Sequence, residues 1–136
     1  MNRRKARENA FLLVFESIFL DLEFEKLIDV AAEVGEIQLN GYSKKIISGV
    51  LQFREEIDEK IKLFLKNWEI NRIPSVLRAI LEISFYEILH VQDVDPPVSI
   101  NEAVELAKKY FADDGPSFVN GVLGNFVKSI DQQKIN

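Results

Sequence analysis

The residues best placed to do chemistry are four bases at the start of the chain. Arg3, Arg4, Lys5 and Arg7 put four positive charges on the first seven residues, with no acid among them. A helix selected only for stability carries acids in its first turn, because an exposed base there opposes the macrodipole by roughly 0.3–1 kcal/mol. The free amide N–H groups at a helix start also attract anions. Bases and amides together make a spot for phosphate, whose affinity falls as salt rises. A solvated, frayed start that aids solubility is the other reading, and charge alone leaves both open. The remaining residues carry 13 bases against 22 acids, so the chain is an acidic body with a basic tip and a net charge of −5.

Other chemistry-bearing features are few. The stretch Phe118-Val119-Asn120-Gly121-Val122-Leu123-Gly124 sets two glycines in one helix, each costing about 1 kcal/mol relative to alanine. Something therefore approaches that backbone closely, either another helix or an RNA. Gly121-x-x-Gly124 has the spacing of the loop that clamps nucleic-acid backbone in KH domains, but it lies in helical periodicity with no strands around it. Close helix packing is the default reading. His90 is the only histidine; it falls near a helix end, where an imidazole commonly caps carbonyls. Glu55, Glu56, Asp58 and Glu59 read as a solvated face. There is no cysteine, which excludes disulfides, thiolate metal sites and cysteine nucleophiles. No glycine loop for phosphates, nucleophile elbow or metal-ligand spacing occurs. The composition therefore points to a binding protein without a cofactor, not an enzyme.

The elements that must position these residues are helical nearly throughout. A first helix runs from Arg3 to about Leu20, and its middle, Ala10 to Phe15, is apolar all round, as in the central helix of a bundle. A short helix follows from about Glu25 to Val34, stopped by Gly35, and a long one from about Gly41 to Lys66. A short Asn67-Trp68 connection leads to Pro74, a first-turn residue of the next helix, which ends near His90. Asp93-Val94-Asp95-Pro96-Pro97 is the clearest loop. Ser99-x-x-Glu102 after it reads as a capping box. A second break at Asp113-Asp114-Gly115-Pro116 leaves Ser117 as the N-cap of the last helix, which carries Phe118, Val122, Phe126 and Ile130 at helical spacing. With 136 residues, 47% of them hydrophobic, the chain makes one all-α domain of six or seven helices. The longest apolar run is far short of the roughly 20 residues a membrane span needs, and the basic start is not followed by a clean signal-peptide core. A cytoplasmic protein with no membrane contact is expected.

Three segments together resemble the NusB family. The first is Arg3-Arg4-Lys5-Ala6-Arg7-Glu8-x-Ala10, similar to the family's arginine-rich opening. The second is Pro74-x-x-x-Arg78-Ala79-Ile80-Leu81 followed by Tyr86-Glu87. The third and most specific is Pro97-Val98-x-Ile100-Asn101-Glu102-Ala103-Val104-Glu105-Leu106-Ala107-Lys108, then Phe118-Val119-Asn120-Gly121-Val122-Leu123. Their order and spacing cover nearly the whole chain. The resemblance implies two three-helix bundles packed through the first helix. It also implies binding to the boxA element of nascent ribosomal RNA together with NusE, a small-subunit ribosomal protein, within the RNA polymerase complex that suppresses premature termination. Carried over from the family, the RNA contacts are Arg3, Arg4, Lys5 and Arg7, with Asp114 and Phe118 at the entry to the last helix. Phe118 either stacks on a base or belongs to the core.

The sequence also departs from the family pattern. Glu82 stands where many members have a base, so an RNA contact made there is lost. Leu77 replaces a polar residue expected near the partner-facing surface, and Gly124-Asn125 stand where charges are commoner. Two alternatives compete with the RNA-binding reading. One is a helical adaptor that meets only proteins. The other is the N-terminal part of a ribosomal RNA cytosine methyltransferase, which would need a further cofactor-binding domain that nothing after Ile130 supplies. Some family members self-associate through the RNA-facing surface, so a homodimer is a further possible partner state.

Overall fold

A computed structural model describes residues 1–66 and 68–135, apart from the side chain of Ile135. Asn67 lies outside the described residues. Six helices form, and no strand occurs among the described residues: α1 (Arg3–Phe19), α2 (Phe24–Val34), α3 (Gly41–Lys62), α4 (Ser75–His90), α5 (Pro96–Tyr110) and α6 (Gly115–Ile135), with a 3-10 turn at Ile70–Arg72. Helices α1 to α3 make one three-helix group and α4 to α6 the other. The groups meet where α1 and α3 pack on α4.

The ends follow from local chemistry. Asn2 caps α1, its side chain accepting from the Lys5 amide at 2.9 Å, and Asn40 caps α3 through Ser43 at 2.9 Å. Gly35 closes α2 at φ 77°, a left-handed position that glycine adopts without steric penalty. Helix α3 stops at Lys62, one turn earlier than its apolar spacing predicts. The next residues tighten into i→i+3 bonds, and Lys66 turns the chain at φ 53°.

Two predicted caps are corrected. Helix α5 starts at Pro96, three residues before Ser99. Pro96 and Pro97 have no N–H to satisfy, and the Asp95 carbonyl takes the next two amides, from Val98 and Ser99. The Ser99 hydroxyl instead donates to Glu87 at 2.9 Å inside the protein. Ser117 is likewise inside α6, which starts at Gly115. The turn before it places Ala112 and Asp113 at φ 67° and 48°.

Burial explains why α1 lacks a polar face. Ala6 to Phe11 are all buried, followed by Leu13, Val14 and Ser17. Helix α4 shares the centre: every residue from Ala79 to Glu87 is buried. Gly49 lets α3 approach α4, since a Cβ there would stand 2.2 Å from the Tyr86 ring. In the second group Phe85 stacks on Phe126 with centroids 4.0 Å apart. Gly121 and Gly124, expected to admit a neighbouring helix, have no atom within 4 Å of the Cβ position. Close helix packing is therefore not what they serve.

Most polar side chains inside the core are paired, though Asp58 Oδ1 and Arg78 Nε are buried without a hydrogen-bond partner. Arg54 on α3 donates to both oxygens of fully buried Glu82 at 3.1 Å and to Ser17 Oγ of α1 at 2.7 Å. Arg78 meets Asp58 at 2.9 Å and Glu82 at 3.5 Å. Asp58 thus leaves the solvated face on which the sequence places it. Glu82 faces the core, so its departure from the family pattern removes nothing from the surface here. Leu77 is buried as well. The His90 ring stacks on Phe53 at 4.4 Å, in place of the carbonyl cap expected of it.

Candidate nucleic-acid interface

The capped start of α1 holds the four bases on an ordered helix, and helical phase sorts them. Arg3, Arg4 and Lys5 are exposed. Arg7 lies three and four residues before Ala10 and Phe11 and therefore shares their inward face. It is only 4% exposed. Its guanidinium donates to both oxygens of Glu87 at 3.0 and 2.9 Å, with Glu102 3.7 Å away. Glu87 is fully buried and also accepts from the hydroxyls of Tyr42 and Ser99. Burial and the Glu87 hydrogen bond push the Tyr42 phenol well up. Arg7 is thereby the tie between α1, α4 and, through Glu102, α5.

The exposed bases also have acidic neighbours, but looser ones. Arg3 reaches Asp93 at 2.9 Å and lies over the Tyr42 ring at 4.3 Å. Arg4 grips Glu102 with two donors at 2.9 and 3.0 Å while 66% of its side chain stays in solvent. Lys5 contacts Glu8 at 3.2 Å. Water and salt screen Arg3–Asp93 on both sides, whereas Glu102 and Glu8 are only 14% and 12% exposed and keep more of their attraction for Arg4 and Lys5. A phosphate can approach the solvent-facing sides of Arg3, Arg4 and Lys5, whose side chains are 46%, 66% and 59% exposed. Removing Arg7 from Glu87 would strand a buried charge.

Glu8 draws two further residues to this surface. It accepts from Lys109 Nζ and from Tyr110 Oη, the latter at 2.7 Å. Burial alone would raise the Glu8 carboxyl, but donors from Lys109, Tyr110 and Lys5 outweigh it and hold it at about 2. Tyr110, half-buried with its ring tilted against Phe11 at 4.9 Å, is pushed up to about 12 by burial and by Glu8. Lys108 and Lys109 sit in the last turn of α5, where cations favour the helix dipole. The basic surface is thus built by two helices, and a cleft of about 200 Å³ between them is lined by Arg4, Glu8, Glu102 and Lys109 among others. Sequence reasoning missed Lys109 and Tyr110. The adjacent lysines Lys108-Lys109 ending an amphipathic helix were the available signal.

Asp114 ends the α5–α6 turn and Phe118 lies in the first turn of α6. Asp114 is exposed, its carbonyl accepting from the Phe118 amide at 3.0 Å, and Phe118 is half-buried. Both line a separate cleft of about 230 Å³ with Trp68, Arg72, Leu77 and Phe111. No residue lines both this cleft and the one beside Arg4. Lys109 of the first cleft and Phe111 of the second stand two residues apart in the chain. Among the described residues no cluster of His, Cys, Asp and Glu could hold a metal ion, and no helix is long and apolar enough to cross a membrane.

Residues 4–128 match the NusB family. The chain is 44% identical over 133 residues to the transcription antitermination protein NusB of Clostridium novyi (strain NT), covering 95% of this chain and 100% of that relative. It is 38% identical over 132 residues to the protein of that name in Bacillus subtilis (strain 168), covering 97% and 99%. Its fold is similar to solved T. maritima NusB, with a TM-score of 0.82 at 30% identity over 94% of this chain and 92% of that one. A chain in the crystal structure of antitermination factors NusB and NusE in complex with dsRNA gives a TM-score of 0.82 at 28% identity, covering 93% and 96%. Matched along most of its length in both sequence and fold, the chain belongs to the NusB family.

Proposed function

We propose that this chain is a transcription antitermination factor of the cytoplasm that binds the boxA element of nascent ribosomal RNA together with NusE. It acts by binding, as one component of the complex that keeps RNA polymerase from terminating early. The observation that carries this reading is the convergence of exposed Arg4 and Lys5 on α1 with Lys109 on α5. Arg4 and Lys109 line one cleft, Lys5 and Lys109 share Glu8, and exposed Arg3 stands next to them on α1. Relatives named as antitermination proteins, and a solved family complex containing NusE and RNA, support it. Arg3, Arg4 and Lys5 take the phosphates, Arg7 holds the helix that presents them, and Asp114 and Phe118 meet bases further along. Asp114 suits such a place only by accepting from a base amino group or a sugar hydroxyl, since it repels phosphate.

The test is a titration of the chain with a boxA-like RNA and a scrambled one, with and without NusE. Tighter binding of the boxA-like RNA in the presence of NusE is expected. Equal, weak binding of both RNAs beside tight NusE binding would instead favour the adaptor reading. The pairing of every basic-turn residue with a carboxylate is the observation that keeps that reading in play.

A further inference from the structure

Arg3 and Arg7 stand one helical turn apart on α1 and so share a face. The ring of Tyr42, second residue of α3, lies against that face. The Arg3 guanidinium carbon is 4.3 Å from the ring centroid and that of Arg7 is 5.8 Å from it. The two bases differ in what else holds them. Arg7 is buried on Glu87, whereas Arg3 is exposed. Of the Arg3 side-chain donors, only Nη2 is hydrogen-bonded among the described residues, to Asp93. Asp93 is exposed too, so water screens that pair and it restrains Arg3 weakly.

Tyr42 itself is firmly held. Its hydroxyl donates to Glu87, which is fully buried and already pairs with Arg7. Asn40 caps the turn of α3 that carries it, and the residue is half-buried. A line of contacts therefore runs from the buried Arg7–Glu87 pair, through the Tyr42 phenol, to exposed Arg3. An arginine at the first position of a helix otherwise keeps a wide choice of rotamers, which binding has to freeze. A guanidinium seated over a fixed aromatic ring has fewer, and its solvent-facing N–H groups still suit a phosphate.

We infer that Tyr42 is a positioning residue for RNA binding: its ring, anchored through Glu87, holds the Arg3 guanidinium in place for a phosphate. This inference rests on the proposed RNA-binding function and adds to it a residue of α3 that acts through Arg3. A double-mutant cycle on RNA affinity tests it. The full chain, saturated with NusE, is titrated with a boxA-like RNA carrying an end dye. Anisotropy gives the affinity, at a temperature well below the melting transition of every variant. Arg3→Ala weakens binding. Tyr42→Leu weakens it about two- to fivefold, the size of an exposed cation–π contact, and changes nothing further in the Arg3→Ala background. Tyr42→Phe keeps the ring and loses the hydroxyl, so it melts lower than the parent yet binds RNA better than Tyr42→Leu. A tyrosine with a merely structural role would not separate affinity from stability in this way.

Equal losses from Tyr42→Leu with and without Arg3, or a Tyr42→Phe loss as large as that of Tyr42→Leu, would overturn the inference and leave the RNA-binding reading standing. A folded Tyr42→Leu protein with the parent's affinity would do the same. If Arg3→Ala binds RNA like the parent, Arg3 meets no phosphate, and the inference falls while the other bases keep the reading. If no RNA binds at all, both fail together.

Discussion

Replacing Arg7 by methionine separates a structural base from an RNA-contacting one. The substitution keeps an unbranched side chain of similar reach but removes the partner of Glu87, which has no access to water and keeps only the Tyr42 and Ser99 hydroxyls as donors. Breaking a buried ion pair from one side is worth about 3–5 kcal/mol. That is a large share of the roughly 5–15 kcal/mol by which a domain is stable. For a chain of this size it corresponds to a fall in melting temperature of about 10–20 °C. Thermal unfolding followed by circular dichroism at pH 7 measures it. Arg7→Met combined with Glu87→Leu should recover most of the loss, because an apolar pair of similar volume often replaces a buried ion pair without penalty. An Arg7→Met protein that melts like the parent but binds boxA-like RNA poorly would refute the reasoning and return Arg7 to the surface.

Three further outcomes follow from the packing and the charges. Gly49→Ala drives a Cβ to within 2.2 Å of the Tyr86 ring, and overpacking of this kind typically costs about 1–3 kcal/mol; urea denaturation should show a lower midpoint with an unchanged slope. Glu8 is held at about 2, below its ordinary 4.5. Its contribution is therefore complete above pH 4.5 and is lost as pH falls toward 2. Glu8→Gln should be less stable than the parent at pH 7, with the gap closing as pH falls through that window, as read by melts at several pH values. Arg4→Ala and Lys5→Ala, whose side chains are largely in solvent, should leave the melting temperature within about 2 °C of the parent, as surface changes do.

The helices were largely legible in the sequence because several ends carry strong local chemistry: Gly35, Pro74 and the Asp95-Pro96-Pro97 run. The caps at Ser99 and Ser117 were misplaced for a related reason. A proline at a helix start removes the very N–H groups that a capping serine serves, so the motif spacing matched while the need for it was gone. Periodicity identifies an apolar face but not the element it meets. Gly49, with no motif to mark it, turned out to admit Tyr86, while Gly121 and Gly124 admit nothing inside the chain. Glu82 and Asp58 looked like surface acids because their partners, Arg54 and Arg78, come from other turns and helices.

The site was legible in its chemistry and less so in its geometry. The basic tip stands out by charge alone, but the sequence does not say which bases face water. Arg7 could have been found: Arg7, Ala10, Phe11 and Val14 lie on one helical face, and a base in an apolar stripe is inside. Its partner Glu87, 80 residues away, could not. Lys109 and Tyr110 join the surface only because α5 ends beside α1, a tertiary placement carried by Glu8.

The most direct measurement is the dependence of boxA RNA affinity on salt, for the parent chain and for Arg4→Ala/Lys5→Ala, each saturated with NusE. If the exposed bases of α1 neutralise phosphates, the plot of log affinity against log salt is steep. The double variant then flattens it by about 1.4, at roughly 0.7 per phosphate contact for a single strand. Parallel plots of equal height for the two proteins, both folded, would contradict the account.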